Sequence, residues 1–140
     1  MNIIEALKSK NMTISTAESL TAGLVASNIC SISGASNYFK GGVVAYTKEI
    51  KCNLLGLKMA DIEKYSVYSN ETVSSMASGV MRLTNSDIDE GVKAGTVYFC
   101  IKIKDKKYLF KELFTGDRNT VRENASRFVI DKTIKLLNEN

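Results

Sequence analysis

Helix-type and strand-type patterns alternate along the whole chain of 140 residues. Apolar residues recur at helical spacing in the opening and closing segments, whereas 96–104 and 107–115 alternate as strands do. The order is helix, strand, helix, loop, strand, two helices, two strands and a final helix. No repeat, linker or low-complexity tract interrupts it. The pattern predicts one α/β domain over residues 1–140, with a mixed sheet covered by helices.

Local signals set the bounds that we expect for single elements. Apolar periodicity and candidate caps mark the helices, and runs of alternating residues mark the strands. The expected bounds are helices at 2–10, 48–55 and from 69 or 70 to about 83, strands at 12–17, 41–46, 96–104 and 107–115, and a two-residue hairpin turn at Asp105-Lys106.

The chain contains no histidine and no proline. Without an imidazole, Ser-His-Asp and Cys-His hydrolases are excluded, as are sites where histidine binds zinc or iron. Acid–base chemistry near neutral pH then falls to Lys, Tyr, Cys, Asp or Glu. Cys30, Cys52 and Cys100 form no CxxC pair, so neither a redox motif nor a thiolate metal site is indicated. Three buried, reduced thiols fit a cytoplasmic protein.

The net charge of +4 is spread along the chain. Its densest run, Lys102, Lys104, Lys106 and Lys107, alternates with isoleucines and is typical of a solvated sheet edge, where lysines discourage aggregation. Nucleic-acid binding would need basic residues clustered on one face, so we expect no nucleic-acid partner. The start of the chain does not resemble a signal peptide and no segment approaches the length of a membrane helix, so we expect a cytoplasmic protein without a membrane partner.

The first candidate site is the segment from Thr16 to Gly23, where a strand meets a helix. Its hydroxyls and backbone donors form a possible cradle for a phosphate or carboxylate. An ordinary turn, with Ser19 or Thr21 capping the helix, explains the same residues, and on chemistry alone that interpretation is favoured.

The second candidate is Ser36 followed by Tyr46 and Lys51. Without histidine, a serine can still be activated by a Tyr or Lys whose pKa is lowered by its surroundings. A strand end and the next helix often flank one cleft, so the three could converge. Spacing alone favours a loop serine, an edge tyrosine and a solvated lysine.

The third candidate is the pair Arg118 and Arg122 at the start of the last helix. Four residues apart, they share one face beside free helix N–H groups, which suits a phosphate or carboxylate. Two exposed arginines behind an Asp117 cap are an equally good interpretation.

Five segments, in order, resemble segments of the CinA C-terminal domain family, and together they cover nearly the whole chain. The most specific patterns are TAES-x-T-x-G and S-G-x-S…G-x-V-x-Y-x-x-x-x-K. The segments are TAESLTAGLVAS, SGASNYFKGGVVAYTKEIKCNLLGL, VYSNETVSSMASGV, GTVYF and FTGDRNTVRENA.

The resemblance implies a three-layer α/β/α sandwich with a mixed sheet. It also implies a metal-independent amidohydrolase, without a cofactor, that deamidates nicotinamide mononucleotide to nicotinate mononucleotide and ammonia in pyridine-nucleotide salvage. By position, Ser36 is the implied nucleophile, Tyr46 takes its proton, and Lys51 holds one of the two in a reactive state.

The implied partners are a mononucleotide substrate and further copies of the chain in a homo-oligomer. The nucleotide pocket is expected to lie at the TAES segment, and one of the two arginines is expected to hold the phosphate. The implied substrate-binding residues are Glu18, Ser19, Thr21, Ala22, Gly23, Arg118 and Arg122.

The chain departs from the family between its long helix and the GTVYF segment. Family members place a buried strand there, followed by a T-G-I-A-G-P loop and a K-P-V turn, which also hold the prolines that this chain lacks. Here 83–94 runs straight into Gly95, so we expect both strand and loop to be missing, the 87–93 stretch being too polar to fill the sheet. A segment absent from this sequence, a non-catalytic paralogue that binds a nucleotide or protein, and a strand supplied elsewhere remain open explanations.

Overall fold

The computed structural model describes residues 1–92 and 96–139. Its elements, in chain order, are α1 (Ile3–Lys10), β1 (Ile14–Glu18), α2 (Leu24–Cys30), a 3₁₀ turn (Ala35–Asn37), β2 (Phe39–Val44), α3 (Lys48–Leu55), α4 (Met59–Tyr65), α5 (Asn70–Thr84), β3 (Ile88–Val92), β4 (Thr96–Ile103), β5 (Lys106–Leu113) and α6 (Arg118–Glu139).

The five strands form one mixed sheet in the order β2-β1-β3-β4-β5. β1 pairs in parallel with both β2 and β3, so the carboxyl ends of these three strands meet at one edge. At that edge Glu18 lies opposite Val44 on one side and Val92 on the other. The antiparallel strands β4 and β5 complete the sheet on the far side of β3.

Helices cover both faces of the sheet, which confirms the predicted α/β/α sandwich. One core lies between the sheet and α1, α2 and α6, and a second lies beneath α3, α4 and α5. Successive side chains of β4 point to opposite faces of the sheet. Phe99 and Ile101 therefore enter the first core, whereas Cys100 packs against α5 on the other face. No helix in the described part of the chain is long and apolar enough to cross a membrane.

The prediction that a central strand is missing is wrong. β3 occupies that position, parallel to β1 on one side and antiparallel to β4 on the other. Strand pairing satisfies backbone N–H and C=O groups whatever the side chains are, and Ile88 anchors the strand in the core with no exposed surface. The predicted absence of the glycine-rich loop concerns residues 93–95, which lie outside the described residues.

Three smaller expectations need correction. The hairpin turn is formed by Lys104 and Asp105, one residue earlier than predicted, because Lys104 takes a left-handed conformation and Ile103 pairs with Lys106. The expected burial of all three thiols is wrong, since Cys30 ends α2 in an exposed position, whereas Cys52 is half-buried. The strand bounds also shift by at most two residues, as β1 begins at Ile14 and β2 covers Phe39–Val44.

A close approach between α5 and the end of α3 requires a glycine. A Cβ built on Gly79 would lie 2.2 Å from the backbone oxygen of Leu55, which cannot move without displacing α3. We expect Gly79→Ala to lower the free energy of unfolding by about 1–3 kcal/mol despite the better helix propensity of alanine. Urea denaturation measures this, with Ser75→Ala on the exposed side of α5 as the control. Equal stability of the two variants would contradict the packing described.

Candidate active site

A buried lysine lies where the carboxyl ends of β1 and β2 meet. Thr47 caps α3 by accepting a hydrogen bond from the Ile50 amide, and the first turn of this helix carries Lys51 back over the strand ends. Only 1% of Lys51 is exposed. Its Nζ donates to the backbone oxygens of Ala45 at 2.8 Å and Tyr46 at 3.3 Å. Two carbonyls therefore fix the position of the amine.

The same Nζ lies 3.4 Å from Oγ of Ser19. Ser19 directly follows β1 and is 5% exposed, so the pair is shielded from bulk water. Nζ is the donor in this contact, and an amine in its neutral form can accept a serine proton. The contact therefore has the geometry of a serine nucleophile beside its base.

A cleft of about 340 Å³ opens over this pair. Its size lies within the range that suits a small ligand. Tyr46 and Tyr68 are 62% and 54% exposed, so both present aromatic surface to the cleft. The lining residues are Ser19, Leu20, Tyr46, Thr47, Lys48, Lys51, Val67 and Tyr68.

The carboxylate of Glu18 is turned away from this cleft, into the start of α2. It accepts hydrogen bonds from the Thr21 hydroxyl at 2.7 Å, the Val25 amide at 2.8 Å and the Ala26 amide at 3.1 Å. The expectation of an open anion cradle is wrong for the Val25 and Ala26 amides, because both already donate to Glu18. The alternative of a Ser19 or Thr21 cap is also wrong, because the N-cap position is Gly23 and makes no side-chain cap.

The two arginines of α6 occupy different surroundings. Nη2 of Arg122 donates to the backbone oxygen of Thr21 at 3.2 Å, which ties α6 to the segment after β1. Nε of Arg122 is buried without a hydrogen-bond partner among the described residues. Arg118 is exposed at the first position of α6, behind Asp117, whose carboxylate accepts from the Thr120 amide at 2.8 Å.

Ser36 lies at the amino end of β2, whereas Lys51 lies at the carboxyl ends of the parallel strands. Ser36 sits in the 3₁₀ turn before β2, whereas Tyr46 follows the end of that strand. The six residues of β2, at about 3.3 Å each, separate them by about 20 Å. Within one chain the structure therefore brings together Ser19, Tyr46 and Lys51, but not Ser36.

Sequence reasoning placed Ser19 in the substrate pocket and missed its contact with Lys51. The available signal was the parallel strand order, since residues that follow two adjacent parallel strands meet at one sheet edge. Tyr46 also differs from expectation, because its backbone oxygen, and not its hydroxyl, bonds Lys51. Among the described residues, no group of three His, Cys, Asp or Glu side chains could hold a metal ion.

A family model for the CinA C-terminal domain matches residues 1–137. The chain belongs to the CinA C-terminal domain family. A CinA-like protein of Petrotoga mobilis is 35% identical over 98% of this chain and 37% of its own length. The Protein MG115 homolog of Mycoplasma pneumoniae is 34% identical over 98% of this chain and 96% of its own.

A solved structure confirms the fold of this CinA-family chain. The crystal structure of a competence-damaged protein (CinA) superfamily protein from Klebsiella pneumoniae 700603 has a TM-score of 0.95 at 26% identity, covering 99% of this chain and 94% of its own. Several longer relatives are matched only in part, since the chain spans between 34% and 37% of the first four curated relatives.

The cap of α6 predicts a pH dependence of stability. The hydrogen bond from the Thr120 amide holds the pKa of Asp117 below its ordinary value. The ionised cap therefore stabilises the fold above the unfolded-state pKa, and this contribution is lost as the pH falls through the lower folded value. We expect the Tm difference between wild type and Asp117→Asn to shrink over that acidic range.

Thermal unfolding in a pH series at low salt measures this difference. Asp131→Asn, in the middle of α6, is the matched control and has no such cap to lose. A Tm difference for Asp117→Asn that stays constant with pH would contradict the assignment.

Proposed function

We propose that this CinA-family chain is a metal-independent amidohydrolase that converts nicotinamide mononucleotide to nicotinate mononucleotide and ammonia. The observation that carries the proposal is the buried amine of Lys51 beside the Ser19 hydroxyl at the floor of a cleft. The absence of histidine from the chain supports a serine–lysine mechanism, because no imidazole is available as the base. The nucleophile proposed is Ser19, in place of Ser36.

In the first step, Oγ of Ser19 attacks the carboxamide carbon of the substrate while its proton passes to Nζ of Lys51. A neutral amine has two N–H groups and one lone pair. The oxygens of Ala45 and Tyr46 accept hydrogen bonds from Nζ and hold it 3.4 Å from Oγ of Ser19, where the lone pair of a neutral amine can accept the serine proton. The product is a tetrahedral oxyanion next to a Lys51 ammonium.

In the second step, the C–N bond breaks and the Lys51 ammonium donates its proton to the leaving nitrogen. Ammonia departs and an ester links the substrate acyl group to Ser19. Water then attacks this ester, Lys51 accepts its proton, and the nicotinate product is released with Ser19 reprotonated. One amine thus serves as base and acid in turn.

The cleft also offers groups that could bind the rest of the proposed mononucleotide substrate. Its nicotinamide ring is a cation, and cations bind favourably over aromatic faces such as those of Tyr46 and Tyr68. For the phosphate, Lys48 lines the cleft, and Arg118 remains a candidate at the start of α6. Arg122 is the weaker candidate, since its guanidinium already bonds the Thr21 oxygen.

A non-catalytic CinA-like protein, which binds a nucleotide or a protein partner in the same cleft, is the second candidate function. The match to the Petrotoga protein runs over 150 residues, whereas 98% of this 140-residue chain takes part. This chain is thus the shorter one across the matched region. Loss of a loop that donates to an oxyanion costs about 10²–10³ in rate. Calorimetric binding of nicotinamide mononucleotide without ammonia release would favour this second function.

The proposed roles predict opposite results for two serine variants. Ser19→Ala removes the nucleophile, and we expect ammonia release from nicotinamide mononucleotide to fall by at least about a thousandfold. Ser36→Ala is the matched control and should retain activity within about twofold, because Ser36 lies at the far edge of the sheet. The measurement is a coupled ammonia assay in buffer without added metal.

The outcome also separates the two candidate functions. Activity lost in Ser36→Ala but kept in Ser19→Ala would contradict the assignment of the nucleophile. A folded wild-type chain that releases no ammonia would contradict the amidohydrolase. Its assembly as a homo-oligomer and its place in the cytoplasm stay predictions, for which light scattering and cell fractionation are the measurements.

A further inference from the structure

We propose that Glu18 is a positioning residue that holds Ser19 against Lys51. The inference rests on the proposed function, because it takes Ser19 as the nucleophile. Glu18 is 1% exposed and directly precedes Ser19 at the end of β1. Its carboxylate does not line the cleft, so it acts on the reaction through the backbone and not by touching the substrate.

The side chain of Glu18 closes the turn that carries Ser19. Its Oε1 accepts from the Thr21 hydroxyl and the Val25 amide, and its Oε2 accepts from the Ala26 amide. These amides belong to the first turn of α2, where the N-cap residue supplies no side-chain acceptor. The carboxylate therefore caps α2 from the end of the preceding strand. It also links the start of the turn to its end, because both bond to the same side chain.

The turn needs such a constraint because its backbone is unfavourable. Ala22 has a φ of 50° and Gly23 a φ of 95°, both in the left-handed region. A residue with a Cβ is less stable in that region than in the right-handed one. Ala22 would therefore relax to another conformation if the contacts around it were weaker. Relaxation at Ala22 would move Ser19, three residues earlier in the same turn.

The backbone of Glu18 is tied to the lysine side of the site. Its carbonyl oxygen accepts from the Ala45 amide at 2.7 Å, and the Ala45 oxygen in turn accepts from Nζ of Lys51. One residue thus fixes the nucleophile through its side chain and the base through its main chain. Arg122 adds a second anchor through its bond to the Thr21 oxygen.

Glu18→Gln tests the role with little change of shape. The amide oxygen can still accept from Thr21 and Val25, but the amide nitrogen would place a donor against the Ala26 N–H, now 3.1 Å from Oε2. We expect kcat for ammonia release to fall by about tenfold or more, with KM changed by less than about twofold, because the substrate contacts are untouched. Glu123→Gln, an exposed carboxylate on α6, is the matched control.

Amide hydrogen exchange gives a readout that does not depend on activity. In Glu18→Gln the amides of Val25 and Ala26 should exchange about tenfold faster, whereas those of β4 keep their protection. Unchanged kcat together with unchanged exchange would overturn the proposal, and so would fast exchange with full activity. A wild-type chain without activity would refute the amidohydrolase, while exchange alone would still show whether Glu18 holds the turn.

A second variant covers the case in which Glu18→Gln does not fold. Thr21→Val removes one donor to the carboxylate and keeps the shape of the side chain and the charge of the site. We expect its kcat to fall by about threefold to tenfold at unchanged KM, with faster exchange at Val25. Wild-type kcat in a folded Thr21→Val chain would overturn the proposal.

Discussion

The inner strand β1 is hydrogen-bonded in parallel on both sides, and all five of its residues are buried. A parallel strand in this position must be covered on both faces, which is why helices flank the sheet in two layers. The same pairing decides where chemistry can occur. The carboxyl ends of β1, β2 and β3 meet at one edge, so Ser19, the Ala45–Tyr46 turn and the end of β3 arrive together. A shift of β2 along β1 would separate Ser19 from Lys51, because Lys51 is bonded to the residues that follow β2.

Placing the amine of Lys51 at that edge has a free-energy cost, because burial removes it from water. Two backbone carbonyls compensate for part of this cost and also set its direction toward Ser19. An enclosed lysine beside a serine is an arrangement with a chemical use, since the neutral amine is the form that accepts a proton. The hydrogen bonds of Glu18 constrain the turn on the serine side of the contact, as the carbonyls do on the lysine side.

Much of the fold could be predicted from local sequence. The helix over Lys48–Leu55 and the Ser69 cap of α5 follow from residue patterns that act over a few positions. β3 was missed because pairing to two neighbours stabilises a strand even where it contains Asp89 and Glu90, and one strand's sequence does not show its neighbours. The site could be predicted only in part, because it too depends on which strands are neighbours. Sequence patterns single out both Ser19 and Lys51, but their contact depends on strand order. The resemblance implies that Ser36 acts with Lys51, and it takes no account of the length of β2, which separates them within one chain.

The identity of the nucleophile is the claim on which the function depends. Both serines lie in one tryptic peptide, residues 11–40, so a single experiment compares them directly. The chain is mixed with nicotinamide mononucleotide, quenched in acid within one turnover and digested, and the peptide is fragmented in a mass spectrometer to locate the acyl group. An ester on Ser19 is the predicted result. An ester on Ser36, or turnover without any acyl-enzyme on this peptide, would contradict the mechanism.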